Sequence, residues 1–222
     1  MAGEGEHELA QTALPHGAET RAAPRFSLMI RAAKLVGTRG EYLCVVRDVS
    51  ATGTRLRLFH EAPQAAHLFL ELGSGDRFAV ERVWERESYA GFRFAAPIDV
   101  EAFIEEPRSH QRKGLRLKIE RPGLVHASGL AAPAMMRDIS QQGARIDTGM
   151  FLAVEELLRL EVDGLPPRVA KVRWRREQSY GLIFEETFRL DELARHAHAL
   201  ASKPITLSRA EECRPGDSML RA

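Results

Sequence analysis

Cysteine is scarce in this sequence: its 222 residues hold two, Cys44 and Cys213. They supply no disulfide framework, which fits a reducing compartment. Cys44 sits in an apolar run and reads as a small core residue, whereas Cys213 lies in a polar tail. Lysine is nearly as rare, occurring only at positions 34, 113, 118, 171 and 203. Long apolar runs are missing, none approaching the roughly 18 residues of a membrane span. Met1–Thr20 is acidic and lacks the apolar stretch of a secretion signal. The expected location is therefore the cytoplasm, with no membrane partner. An excess of one charge is missing as well. The 32 Lys and Arg against 31 Asp and Glu leave a net charge of +1, which argues against a polybasic binder of DNA or RNA. No HExxH, P-loop, G-x-G-x-x-G or Cys-rich zinc pattern is present. The eight histidines are scattered, and His196 and His198, two apart on a predicted helix, do not share a face for a metal.

What the sequence does have is an internal repeat. Shifted by 90 residues, Arg47-Asp48-Val49-Ser50-Ala51-Thr52-Gly53-Thr54-Arg55-Leu56 falls on Arg137-Asp138-Ile139-Ser140-Gln141-Gln142-Gly143-Ala144-Arg145-Ile146. The same shift places Trp84 on Trp174, Arg86 on Arg176, Glu87 on Glu177, Gly91 on Gly181 and Phe94 on Phe184. The period is too long for a solenoid unit and reads as a duplicated domain. With 44% hydrophobic residues, each copy has material for its own core.

Both copies share one plan. Alternating apolar residues (Phe26, Leu28 and Ile30; Leu115, Leu117 and Ile119) predict a half-buried strand. Strands follow at Tyr42–Arg47 and Ala134–Arg137, and at Thr54–Leu58 and Ala144–Asp147. The last pairs are Arg77–Trp84 with Tyr89–Phe94, and Arg168–Trp174 with Tyr180–Phe184. Short strands at this spacing predict a small antiparallel barrel. Each copy closes on a helical stretch, near Asp99–Glu105 and over Arg189–Ser202, the latter with Leu190, Leu193, Ala194, Ala197 and Leu200 on one face. The expected organisation is a disordered segment 1–20, domains over 21–104 and 105–202, and a flexible tail 203–222.

Two constellations carry chemistry. Asp48-x-Ser50-x-x-Gly53 recurs as Asp138-x-Ser140-x-x-Gly143. It can be a tight turn, with local Asp and Ser hydrogen bonds and a glycine at positive φ. It can also be a binding motif: Asp and Ser at i and i+2 of a strand share a face, and a carboxylate accepts from the N1–H and N2–H₂ donors of guanine. Upstream lie Arg21 and Arg25, four apart, and their counterpart Arg108 and Arg112. Guanidinium forks grip phosphate oxygens and stack on purines. Arg112 and Arg116 satisfy the same spacing. A shift of 87, matching Ser27–Ile30 with Gly114–Leu117, favours Arg108 and Arg112 and sends three extra residues into a hairpin near Gly129–Pro133. Trp84 and Trp174 follow apolar strand residues and read as core or rim packing.

Taken together, the Arg-x-x-x-Arg pairs, the Asp-x-Ser-x-x-Gly motifs and the closing strands around Trp84, Gly91, Phe94 and Trp174, Gly181, Phe184 resemble the PilZ domain family. The resemblance covers roughly residues 21–104 and 105–200. It implies a mainly β protein of two six-stranded barrels in tandem, each followed by a helix. It also implies a non-enzymatic receptor for cyclic di-GMP without a cofactor, signalling through an effector protein. The implied contacts are Arg21, Arg25, Asp48, Ser50 and Gly53 in one copy and Arg108, Arg112, Asp138, Ser140 and Gly143 in the other. The Arg motif would ride on a flexible segment that folds over the ligand. Neither copy has the doubled leading arginine often seen in the family. An interaction module that has lost nucleotide binding in one or both copies is the alternative.

Overall fold

The computed structural model describes residues 26–63, 65, 67–105 and 114–202, residues 26–30 and 202 by their backbone alone. Arg21, Arg25, Arg108 and Arg112, the 1–20 segment and the 203–222 tail lie outside the described residues.

The first copy comprises β1 (Phe26–Gly37), β2 (Gly40–Ser50), β3 (Gly53–Leu58), β4 (Leu68–Glu71), β5 (Arg77–Arg86), β6 (Tyr89–Phe94) and α1 (Val100–Ile104). The second comprises β7 (Leu117–Ala127), β8 (Leu130–Ser140), β9 (Gly143–Thr148), β10 (Leu157–Val162), β11 (Arg168–Arg176), β12 (Ser179–Phe184) and α2 (Leu190–Ser202). Each set of six strands closes into an antiparallel barrel, in the orders β1-β2-β3-β6-β5-β4 and β7-β8-β9-β12-β11-β10. Two strands, β4 and β10, were not read individually from the sequence. They are short, and their alternation (Leu68 and Leu70; Leu158, Leu160 and Val162 buried) involves few residues.

Each barrel is filled by the inward residues of its strands and stoppered by an aromatic ring beside its helix. Phe103 of α1 packs against Phe78 and Phe94 at 5.2 and 6.2 Å. Phe188, just before α2, meets Phe184 edge-on at 5.6 Å and lies under the Arg168 guanidinium at 4.1 Å. Fully burying such a ring contributes about 1.5–3 kcal/mol. Asp99 caps α1, accepting from the Glu101 and Ala102 amides. Arg31 on β1 donates to the Phe103 and Ile104 carbonyls at the other end of that helix, and Arg121 on β7 donates likewise to Leu200 of α2. A guanidinium at a helix C-terminus satisfies carbonyls left without helical partners.

The strand register decides how the copies align. Phe26 pairs with Val49 and Leu117 with Ile139, so Phe26 and Leu117 are counterparts, offset by 91 rather than 87. Both following hairpins turn through two residues, between Gly37 and Gly40 and between Ala127 and Leu130. No extra residues therefore sit near Gly129–Pro133. The copies differ instead in the bulge of the first strand: three residues separate Ser27 from Arg31, and two separate Lys118 from Arg121. Bulges absorb single insertions without disturbing the ladder beyond them. Carried upstream along the sequence, an offset of 91 matches Arg21 and Arg25 with Arg112 and Arg116, whereas an offset of 87 matches them with Arg108 and Arg112; of these only Arg116 is among the described residues.

The barrels pack against each other through β2. Its residues are buried almost without interruption, because its two faces serve two cores. Tyr42, Cys44 and Val46 join the first core, while Leu43 joins the second, under β7 and α2. Burial pushes the Cys44 thiol far above its ordinary range, consistent with a packing role. Across the junction, His60 stacks in parallel on His198 of α2 at 4.4 Å, with Tyr42 5.5 Å from His60 and 6.0 Å from His198. Desolvation lowers the His60 pKa below its ordinary 6.5, and the neighbouring His198 lowers it further; the Glu61 and Leu43 backbone and Glu85 oppose this. A depressed histidine pKa means the unfolded chain takes up the proton first. The contribution of His60 to stability is thus complete above pH 6.5 and falls as the pH drops from there through the folded value. Denaturant unfolding at about pH 7.5 and 5.5 should show the acid loss in the wild type and a smaller one in His60→Gln. Equal slopes would assign the loss elsewhere.

Candidate functional site

In the second barrel, β8 ends on Arg137-Asp138-Ile139-Ser140 and turns into β9 at Gly143. A bulge between Met136 and Asp138 sets Asp138 opposite Arg145. The Asp138 carboxylate bridges two guanidiniums: Oδ1 accepts from Arg116 Nη1 at 2.5 Å and Oδ2 from Arg145 Nε at 2.7 Å. Both carboxylate oxygens, expected to face a guanine, are therefore engaged by arginines in this structure. Ser140 Oγ donates to the Gly143 carbonyl at 3.1 Å, closing the turn. Gly143 is not at positive φ. It is glycine because a Cβ there would stand 2.0 Å from the Leu182 carbonyl oxygen on β12. Of the turn reading, then, the local Ser bond holds and the positive-φ glycine does not.

Beside this cluster opens a cavity of about 320 Å³ whose wall includes Arg116, Ser140, Gly143, Lys171, Arg173 and Trp174. Lys171 and Arg173, two apart on β11, point to the same cavity. Glu155 lies 3.6 Å from the Lys171 ammonium and 3.3 Å from the Arg173 guanidinium. Trp174 is 37% and Trp84 43% exposed, so neither is a core residue. Each indole lies on a glycine of the next strand: a Cβ on Gly181 or Gly91 would meet the indole Nε1 at 2.0 Å. That fit explains why the Trp–Gly pair recurs in both copies. It leaves the Trp174 indole on the cavity wall.

The first barrel repeats the core of the motif without the cationic wall. Asp48 pairs with Arg55 at 2.7 Å, and Ser50 exchanges 3.2 Å contacts with Gly53. Where the second copy has Lys171 and Arg173, the first has Glu81, paired with Arg93 at 2.7 Å, and Val83. Of the sequence-derived residues the structure thus brings together Asp138, Ser140 and Gly143, and separately Asp48, Ser50 and Gly53. In the second barrel it also places Arg116, named in the alternative arginine pair, and Trp174, and it adds Arg145, Lys171 and Arg173. The signal for Arg145 lay in the repeated ten-residue block, where it falls on Arg55. Lys171 and Arg173 had none, since they do not repeat.

Topology and site together define a protein of two tandem six-stranded barrels, the second with a cationic cavity beside its Asp-x-Ser-x-x-Gly turn. That second barrel belongs to the PilZ domain family, whose sequence pattern matches residues 106–199. Among solved structures, the chain is similar to the PlzA protein of Borreliella burgdorferi in complex with c-di-GMP. The identity is 12%, covering 78% of this chain and 92% of that one, with a TM-score of 0.33. It is also similar to the Bacillus subtilis inhibitor of motility MotI/DgrA (12% identity, 78% and 93% covered, TM-score 0.31). A third is YcgR of Escherichia coli in complex with c-di-GMP (10% identity, 75% and 81% covered, TM-score 0.28). No curated protein matches the sequence. Among the described residues, no helix is long and apolar enough to cross a membrane.

Proposed function

We propose that the protein is a receptor for cyclic di-GMP and that the second barrel holds the ligand site. The observation that carries this reading is the Arg116–Asp138–Arg145 cluster at a cavity walled by Lys171, Arg173 and Trp174, within a PilZ domain. Its chemistry suits a dinucleotide with two phosphates and two guanines. Arg112 and Arg116 grip phosphate and guanine edges. Lys171 and Arg173 add positive potential, and the indole offers a stacking face. Asp138, released from one arginine as that arginine turns to phosphate, accepts from guanine. Ser140 and Gly143 shape the turn beside it. The role is that of a receptor and not an enzyme, because these groups bind and neutralise, and the output passes to an effector protein by contact.

A second reading, with ligand also in the first barrel through Arg21, Arg25, Asp48, Ser50 and Gly53, is less favoured. Glu81, paired with Arg93, and Val83 stand where the second wall has its two cations, so the first site carries less positive charge. Calorimetry on the intact chain tests both. Cyclic di-GMP should bind at least about tenfold tighter than cyclic di-AMP, the minimum expected from one lost charge-assisted hydrogen bond. Substituting Asp48 should leave the measured heat nearly unchanged. Equal affinity for the two dinucleotides would remove the guanine assignment.

A further inference from the structure

A buried ion cluster in the first barrel reaches across the junction to the root of the second barrel's site. Lys34 on β1 is 5% exposed and Glu41 on β2 is 7% exposed. The Lys34 ammonium lies 2.9 Å from Glu41 and 3.0 Å from Glu71 of β4. It also donates, at 3.1 Å, to the backbone carbonyl of Arg116. In the opposite direction, Glu41 Oε2 accepts the backbone N–H of Lys118 at 2.9 Å. The Arg116 carbonyl and the Lys118 amide flank Leu117, which is anchored in the second core. Both are thus tied to the first barrel, and Arg116 is the residue whose side chain holds Asp138 and lines the cavity.

Buried charges are costly and add little net stability over apolar packing, even when paired. A cluster that spends its hydrogen bonds on another barrel's backbone fixes geometry at that point. We propose that Lys34 and Glu41 are positioning residues for the ligand site: the first barrel sets the strand root from which Arg116 reaches Asp138, so cyclic di-GMP affinity in the second barrel depends on the first. This rests on the reading of the second barrel as the ligand site.

The test uses the full chain with two readouts, the Kd for cyclic di-GMP and hydrogen exchange of the Lys118 amide without ligand. Glu41→Met removes the acceptor for Lys118 while Lys34 keeps Glu71. It should weaken binding about tenfold, the scale of one hydrogen bond to a charged group, and expose the Lys118 amide to exchange. Glu41→Gln retains an acceptor oxygen and should restore both readouts. A role in stability alone would lower the melting temperature without this rescue pattern. A folded Glu41→Met variant with wild-type Kd overturns the proposal. If the wild type fails to bind cyclic di-GMP, the function reading falls, and the exchange readout still decides the positioning: unchanged protection at Lys118 overturns it. Should Glu41→Met not fold, Lys34→Met with Glu41→Gln removes the donation to Arg116 and leaves Glu71 paired with Arg77, 2.6 Å away. That variant should lose affinity about tenfold. Failure of both variants to fold assigns the cluster a purely structural role and also overturns the proposal.

Discussion

Arg116→Ala is expected to weaken cyclic di-GMP binding by about 10- to 100-fold, the equivalent of one or two charge-assisted hydrogen bonds. The thermal stability of the free protein should barely change. Arg116 is partly exposed, and its pair with Asp138 is one of two that this carboxylate makes. Removing it leaves Asp138 compensated by Arg145, and an exposed pair contributes about 0–1 kcal/mol. The contrast with Arg108→Ala distinguishes the two possible registers of the arginine motif. If the offset of 91 set by the pairing of Phe26 and Leu117 continues upstream in the sequence, Arg112 and Arg116 match Arg21 and Arg25, and Arg108→Ala should hold its affinity. Calorimetry alongside a thermal melt reads both quantities. A silent Arg116→Ala with a damaging Arg108→Ala would mean that the ligand arm does not follow the strand register.

How much of this was legible in the sequence depends on the physics of each feature. The Asp-x-Ser-x-x-Gly turns and the Trp–Gly strands stood out because each is fixed by a close backbone or ring approach that few residues fit, and because the two blocks share one offset. The arginine register was not legible. It hinges on a bulge that differs by one residue between copies, and hydrophobic alternation on either side of a bulge does not record its length. The apolar run at Tyr42–Val46 announced burial, but not that Tyr42 and Leu43 serve different cores. Nor could Lys34 and Glu41 be singled out. A lysine and a glutamate seven apart look like a solvated strand pair until a second barrel covers them. The two arginines on Asp138 come from β9 and from the residue before β7, 7 and 22 positions away. They meet because β7, β8 and β9 are consecutive paired strands whose register sets both Lys118 and Arg145 opposite Asp138.

Gly143→Ala is expected to destabilise the second barrel toward the upper end of the about 1–3 kcal/mol that forcing an extra methyl into packed structure costs. Gly53→Ala should cost less. Two effects compete in each variant. Replacing glycine with alanine restricts the unfolded chain and by itself would stabilise by about 0.4–1 kcal/mol. Against that, the added Cβ meets a backbone carbonyl of the neighbouring strand, 2.0 Å away at Leu182 for Gly143 and 2.7 Å away at Phe92 for Gly53. A backbone oxygen inside a closed barrel cannot swing aside as a side chain does. The β9–β12 ladder must open or shift, and the shorter approach requires the larger displacement. The collision therefore outweighs the entropy gain in the second barrel by a clear margin and in the first by a small one. Urea unfolding followed by near-ultraviolet circular dichroism measures both. A Gly143→Ala variant as stable as the wild type would show that β9 and β12 separate at little cost, and that glycine at this position serves ligand contact rather than strand packing.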